Sequence, residues 1–444
     1  MRLTLDAIRD CLDGSIPATL ATCGADGTPN VTYVSQVDYV DSEHAALSFQ
    51  FFSKTRDNVL ANPEVRVTVI HPLSAASYQL RLRYLRTETE GALFERMKAK
   101  LAGIASHSGM AGVFHLRGAD VYRLLEIAPV PGPVLAVEAP RRNLLAALRQ
   151  ASARLAASRE LDALFDQALA TLRDCFGIEH SLLLLLAEAG DRLYTVASLG
   201  YAHSGVGSEI AIGDGVIGVA AQQRTAICVP HMSAEYSYVR AQRELALAQG
   251  GGEALPREIP FPGLAEPHSQ LAVPILAGSR LLGVLYAESP EDRRYGYDDE
   301  DALSAFGAQL GTAIQLLQQS AGEDEPESEA APQPARGAPV QVRHYAADGS
   351  IFLDEDYLIK GVAGAIFWKL AKAHAEAGRV EFCNRELRLD ASLRLPEVGD
   401  NLETRLILLS RRLAERCDYL AVEKTGRGRF RFKVERALRL VEVG

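Results

Sequence analysis

Three groups of residues in this chain have types and spacings that could do chemistry. Ser53, Lys54, Thr55 and Arg56, followed by Asn58, stand where the strand-like run AALSFQFF gives way to a helical pattern. Hydroxyls, free backbone N–H groups and two cations at the positive end of a helix dipole suit a phosphate; the plain alternative is a serine N-cap flanked by solvent-facing charges. Near the C-terminus, Thr404, Arg405, Arg411 and Arg412 lie in one amphipathic stretch, and Arg427, Arg429 and Arg431 in the alternating segment that follows it. Arginine and lysine neutralise nucleic-acid phosphates and a helix fits the major groove, so this pattern points to DNA. Residues 401–436 hold 10 basic against 5 acidic side chains, a moderate bias that an ordinary solvated face would also show. The third group, His231, Tyr236, Tyr238, Arg240 and His268, falls in or beside a long excursion and supplies candidate lid or pocket residues for a small ligand. No residue is marked as a catalytic acid, base or nucleophile. His71, His107 and His115 could in principle ligate iron, but isolated histidines are more often simple polar contacts.

The bulk numbers bound these readings. At 444 residues the chain has room for about three domains. The 48% hydrophobic and 23% charged composition is globular, with no apolar run of membrane-spanning length and an amphipathic start in place of a signal peptide. A cytoplasmic protein is expected. Six cysteines, scattered without a Cys-x-x-Cys, give no metal motif and are expected to be reduced and mostly buried. Residues 340–444 carry 19 basic and 16 acidic side chains, or +3, which leaves −13 of the −10 total for everything before them. An acidic body with a mildly basic tail suits a regulator that touches DNA through one module.

Residues 1–135 begin with a helix at Leu5–Leu12, then five or six short alternating strands with two helical interruptions, SKTRDNVLANP and ALFERMKAKLAGIA, a pattern that implies a small barrel. On the motif FFSKTRDNVLANPEVRV, with TETEGALFERM and VYRLLEI, residues 16–127 resemble the pyridoxamine 5'-phosphate oxidase-like split barrel. That resemblance implies FMN held at a dimer interface, with Ser53, Lys54, Thr55, Arg56 and Asn58 at its phosphate; haem or the deazaflavin F420 is the alternative in some relatives. Thr55 stands where the oxidases themselves have a lysine.

Residues 140–319 read as two helices, the first over 141–155 with a stripe of Leu144, Leu145, Leu148 and Leu155, then strands, a glycine-opened helix at GDGVIGVAAQQ, and a closing helix from Asp298 to Gln319 capped by Asp298 or Asp299. The motif SQLAVPILAGSRLLGVLYAES followed by an acidic helix start resembles a GAF domain, which implies an α+β sensor fold and dimerisation through its terminal helices. The stripe Leu303, Phe306, Leu310, Ile314 and Leu317 suits either a dimer bundle or packing on the sheet. Cys228 is expected to end a buried strand.

Residues 320–339 are acidic, rich in Pro and Ala, and expected to be a disordered linker. Beyond it, Leu402, Leu406, Leu409 and Leu413 form one stripe on a helix, while Thr404, Arg411 and Glu415 lie opposite. Phe430, Phe432 and Val434 then alternate with Arg429, Arg431 and Lys433 after a turn at Gly426 and Gly428. Residues 340–434 resemble the winged-helix effector domain of OmpR-type regulators: hairpin SIFLDEDYLIKGV, first helix AGAIFWKLAKAHAEAG, short helix from FCNRELRL, recognition helix DNLETRLILLSRRLAER and wing TGRGRFRF. Ile407 and Leu408 depart from that family's polar DNA face, so the apolar pair meets thymine methyls or this face binds a protein, such as RNA polymerase or a second subunit.

The expected architecture is therefore multidomain: split β-barrel, then α+β GAF fold, then winged helix over residues 340–444. The expected function is a homodimeric sensory transcription regulator in which a flavin-type cofactor or small ligand controls a DNA-binding tail. No receiver pattern is present, so control would come from ligand occupancy or flavin redox state; the acidic body masking Arg405, Arg411 and Arg412 in one state is one route. The alternative is an FMN-dependent oxidoreductase with regulatory GAF and C-terminal interaction domains.

Overall fold

A computed structural model describes residues 3–50, 54–107, 116–137, 142–187, 189–231, 259–320, 338–390, 393, 402–426 and 428–443. A 3-10 helix, Leu5–Leu12, buries Leu5, Ile8, Cys11 and Leu12 against the first sheet. Seven antiparallel strands follow: β1 (Ala18–Cys23), β2 (Pro29–Val34), β3 (Val37–Tyr39), β4 (His44–Phe49), β5 (Glu64–Ile70), β6 (Ser77–Glu88) and β7 (Gly118–Val130), in the order β2-β1-β5-β6-β7-β4-β3. Their period of two sends Val65, Val67, Val69, Leu80 and Leu82 into one core. The run TPNVTYVSQVDYV is broken at Ser35–Gln36 into β2 and β3, so the curled sheet has seven strands, more than the five or six expected. The two helical interruptions are helices Lys54–Ala61 and Ala92–His107.

The middle of the chain builds a six-stranded sheet, order β10-β9-β8-β13-β12-β11, from β8 (His180–Leu186), β9 (Arg192–Leu199), β10 (Glu209–Ala211), β11 (Ile227–Val229), β12 (Ser269–Ala277) and β13 (Arg280–Ser289). The unbroken leucine run of β8 is explained by burial on both faces. Leu183 and Leu185 join the core beneath helices Leu161–Phe176 and Tyr297–Ser320, while Leu182 and Leu184 join the core beneath helix Gly215–Gln223. Helix Ala92–His107 packs on β11 and on helix Gly215–Gln223, so the first sheet's domain rests on the second.

Two expectations about the helices are corrected. The first helix starts at Leu144, with the Asn143 side chain accepting from the Ala146 N–H; its buried line is Ala147, Ala151 and Leu155, and Leu145 is 79% exposed. Helix Tyr297–Ser320 begins before Asp298 and Asp299, which sit in its first turn, and Asp299 accepts from the Gly296 N–H. Its stripe Leu303, Phe306, Leu310 and Ile314 packs into its own domain's core, the second of the two roles expected for it. The proposed linker is outside the described residues apart from its ends.

The tail opens with β14 (Val340–Tyr345), β15 (Ser350–Leu353) and β16 (Asp356–Ile359), joined at the edge by β20 (Leu438–Val443) running parallel to β14. Helices Gly361–Ala377, Asn384–Arg388 and Leu402–Arg416 follow, then β18 (Leu420–Gly426) and β19 (Arg429–Val434), which form an antiparallel hairpin with β17 (Glu381–Cys383) against β19. Leu402, Leu406, Leu409 and Leu413 bury on one side of the third helix, and Phe430, Phe432 and Val434 close the core from the hairpin. The alternation expected for the hairpin is present; β14 and β20 were not anticipated.

Candidate functional site

The expected phosphate site is only partly assembled. Lys54 opens helix Lys54–Ala61 and is exposed, its ammonium acting on Asp26 through charge; Ser53 lies outside the described residues. Thr55 Oγ1 accepts from Asn30 Nδ2 at 2.9 Å, and buried Asn58 donates to Thr22 Oγ1 at 3.1 Å, so Asn58 braces β1. Arg56 is drawn elsewhere. Its Nη1 reaches both oxygens of buried Asp120 at 2.8 and 2.7 Å, its Nη2 donates to Thr87 Oγ1 at 2.8 Å, and its guanidinium covers the Phe49 ring at 4.7 Å. A bidentate pair of that kind fixes a side chain, so Arg56 serves as a brace between helix and sheet. Burial raises the pKa of Asp120 even though Thr87 and Arg56 pull it down.

Beside this brace lies a cavity of about 160 Å³ lined by Tyr33, Ser48, Gln50, Thr55, Arg56 and Tyr122. Gln50 is buried, yet its Oε1 has no hydrogen-bond partner. A buried orphan acceptor is costly unless something fills it. With the Thr55 hydroxyl and the exposed Lys54 ammonium at the helix start, these groups fit a molecule that carries both a phosphate and a hydrogen-bonding ring edge.

In the second domain His231 is paired with Asp292, and the His268 backbone N–H donates to the Ser289 carbonyl at 2.8 Å where β12 meets β13. Tyr236, Tyr238 and Arg240 lie outside the described residues. Cys228 is buried with its Sγ directed at the Tyr295 carbonyl, and burial lifts its pKa well above the ordinary value, as suits an inert thiol. Among the described residues no group of three His, Cys, Asp or Glu is placed to hold a metal ion; His71 Nδ1 accepts from the Leu73 and Ser74 N–H groups at 3.2 and 3.1 Å, and the side chains of His107 and His115 lie outside the description.

The four expected DNA-facing residues on the tail's third helix are not on an open surface. Thr404 is fully buried and accepts from Tyr194 OH at 3.3 Å; Arg405, 8% exposed, lies 4.0 Å from the centroid of the Tyr194 ring. Arg411 binds Asp162 through Nε at 2.8 Å, Asp166 through Nη2 at 2.8 Å and the Val196 carbonyl through Nη1 at 3.1 Å. Arg412 donates to the Leu358 carbonyl at 3.1 Å and to Glu415 at 2.9 Å, and burial lowers its pKa. The helix face taken as opposite to the core is thus covered by helix Leu161–Phe176 and β9. This also accounts for buried Leu408, whose apolar side chain would be out of place on a wet surface. In the hairpin, Arg431 pairs with Glu381 at 2.7 Å, Arg429 lines a cavity of about 200 Å³ with Glu160, Asp162 and Lys424, and Arg427 lies outside the described residues.

Sequence reasoning missed Lys424, 3.2 Å from Glu160, and Lys360, 3.0 Å from Glu209, both of which bridge tail and middle domain. A larger cavity of about 630 Å³ opens at the same junction, between His203, Ser204 and Pro260 on one side and Tyr357, Arg412 and Arg416 on the other. It also missed a buried ionic cluster between the first two domains. Asp38 is fully buried and accepts from Lys100 Nζ at 2.7 Å and from Arg96 Nε and Nη2 at 2.9 and 2.7 Å. Tyr297 and Glu300 from helix Tyr297–Ser320 complete it, with Lys100 Nζ 4.9 Å from the centre of the Tyr297 ring. The three segments are far apart in sequence, and no local pattern could have joined them.

The sequence profile of pyridoxamine 5'-phosphate oxidase matches residues 4–129, and that of the GAF domain matches residues 160–314. The chain thus carries a split-barrel-like domain of the first kind and a GAF domain; neither match reaches the tail. Among solved structures, an FMN-binding protein from Syntrophomonas wolfei subsp. wolfei is 18% identical, covering 29% of this chain and 86% of its own, with TM-score 0.25. HupZ from Group A Streptococcus is 20% identical over 30% of this chain and 98% of its own, TM-score 0.23. Free methionine-R-sulfoxide reductase from Neisseria meningitidis, in complex with its substrate, is 19% identical over 42% and 98%, TM-score 0.31. No curated protein matches the chain. No described helix is long and apolar enough to cross a membrane.

Proposed function

We propose that this is a sensory regulator in which a split barrel holding a flavin-type cofactor and a GAF domain control a C-terminal winged helix that contacts DNA. The observation that carries the reading is the composition of the tail: a small sheet, three helices and a hairpin whose outer strand face is cationic at Arg429, Arg431 and Lys433, all joined to two domains of ligand-holding type. FMN is the cofactor the barrel residues suit best, with Lys54 and Thr55 toward its phosphate and Gln50 toward its ring; Arg56 and Asn58 act as braces of that site. When bound, the flavin supplies the redox chemistry, and the chain supplies only binding and access.

Two measurements test this. The absorbance spectrum of the purified protein should show a flavin band at roughly 450 nm that leaves the protein when the denatured chain is separated from small molecules. Duplex DNA binding should weaken steeply with salt and fall in the Arg429→Ala/Arg431→Ala variant. A colourless protein removes the cofactor half of the proposal; binding unaffected by salt or by the double substitution removes the DNA half. Steady turnover of a nicotinamide by a yellow protein that ignores DNA would favour the oxidoreductase alternative.

A further inference from the structure

We infer that the acidic start of GAF helix Leu161–Phe176 is an internal competitor for the tail's phosphate-binding face, so that the tail binds DNA only after it leaves the GAF domain. The inference rests on the DNA-binding reading proposed above and adds its regulation.

Three observations converge on it. Arg411 presents its guanidinium edge to two carboxylates, Asp162 and Asp166, spaced four residues apart on one helix face. Two fixed oxyanions around one guanidinium reproduce what neighbouring phosphates would offer the same side chain. Glu160, the N-cap residue of that helix, makes no side-chain capping bond, and its carboxylate reaches Lys424 of the hairpin instead. Helix and hairpin, the two elements through which a winged helix would meet DNA, are therefore held by the same short acidic segment. Thr404 and Arg405 are meanwhile occupied by the hydroxyl and ring of Tyr194 on the neighbouring strand.

An acidic residue near a helix start is favourable by itself, which would account for Asp162. It does not account for Asp166, a turn further in, or for the convergence of Arg411 and Lys424 from separate elements. The contact is also built to open. The side chains of Glu160, Asp162 and Asp166 are 54, 56 and 68% exposed, so these pairs are screened by water and salt and open to displacement by a denser array of negative charge. The apolar share of the contact, around Leu408, sets a docked resting state that does not depend on salt.

The test uses the full chain. Duplex DNA binding and the radius of gyration by small-angle X-ray scattering are compared for the wild type, for Glu160→Gln/Asp162→Asn/Asp166→Asn, and for a control with the same change in net charge on the barrel, Glu43→Gln/Glu64→Gln/Glu126→Gln. The expected result is an affinity gain of about tenfold in the GAF variant with an increased radius of gyration, and little change in the control. Equal affinity in wild type and GAF variant, with both weakened by Arg411→Ala, would overturn the competition while leaving DNA binding intact. A gain matched by the control, without expansion, would reduce the effect to net charge and overturn it as well. Failure of an expanded GAF variant to bind any duplex would sink the DNA reading itself and the inference with it.

Discussion

Asp38→Asn is the substitution with the largest calculable consequence. Asp38 is, among the described residues, the carboxylate that accepts from Lys100 Nζ at 2.7 Å and from Arg96 at 2.9 and 2.7 Å, and it is fully buried, as Lys100 nearly is. The amide keeps the volume and removes the charge. Two cations then remain in a site where burial alone would lower the pKa of Lys100, a tendency that Asp38 now outweighs. Breaking one partner of a buried ion pair typically costs about 3–5 kcal/mol, and three charge-assisted hydrogen bonds put this case at the upper end. The cluster joins β3 and helix Ala92–His107 to the closing GAF helix, so the loss should appear as a lower urea midpoint of the barrel and GAF domains together. Asp38→Asn/Lys100→Met should recover part of it, because one stranded cation leaves with the carboxylate. A cost below about 1 kcal/mol, the size of an exposed pair, would refute the reasoning, since it would mean that the site is wet.

Other outcomes follow from the same geometry. Lys54→Ala should lower flavin retention with little effect on stability, while Arg56→Ala should cost about 3 kcal/mol of stability through stranded Asp120, both measured by cofactor release and thermal melting. Burial raises the pKa of Glu300 above its ordinary 4.5, with Lys100 and Arg96 pulling it back, so the folded state holds that proton more tightly than the unfolded chain. Stability from this group is therefore present below about pH 4.5 and is lost as pH rises through the folded value; Glu300→Gln should flatten that part of the stability profile. Gly311→Ala should destabilise, against the usual gain of about 1 kcal/mol for alanine in a helix, because a Cβ there would stand 2.1 Å from the Leu276 carbonyl oxygen. A raised melting temperature would show that the helix can move away from β12.

Local pattern was enough for much of this molecule. The period of two in SYQLRLRYLRTE, the double-faced leucines of SLLLLL and the leucine stripe from Leu402 to Leu413 each depend on neighbours a few residues away, and the structure follows them. The same holds for Phe430, Phe432 and Val434, which bury as their alternation requires. What the pattern could not carry was the identity of the surface opposite each stripe. Arg56, Thr404, Arg405, Arg411 and Arg412 were placed facing ligands or solvent because a polar residue off the apolar stripe has no local reason to be buried. Each found its partner at long range: Asp120, Tyr194, Asp162 with Asp166, and the Leu358 carbonyl. The cost of burying a guanidinium is met only by acceptors brought in from other elements, and which acceptors arrive depends on how whole domains pack. Residue spacing therefore determined the elements and their inner faces, while tertiary packing alone decided which charges are working groups and which are braces.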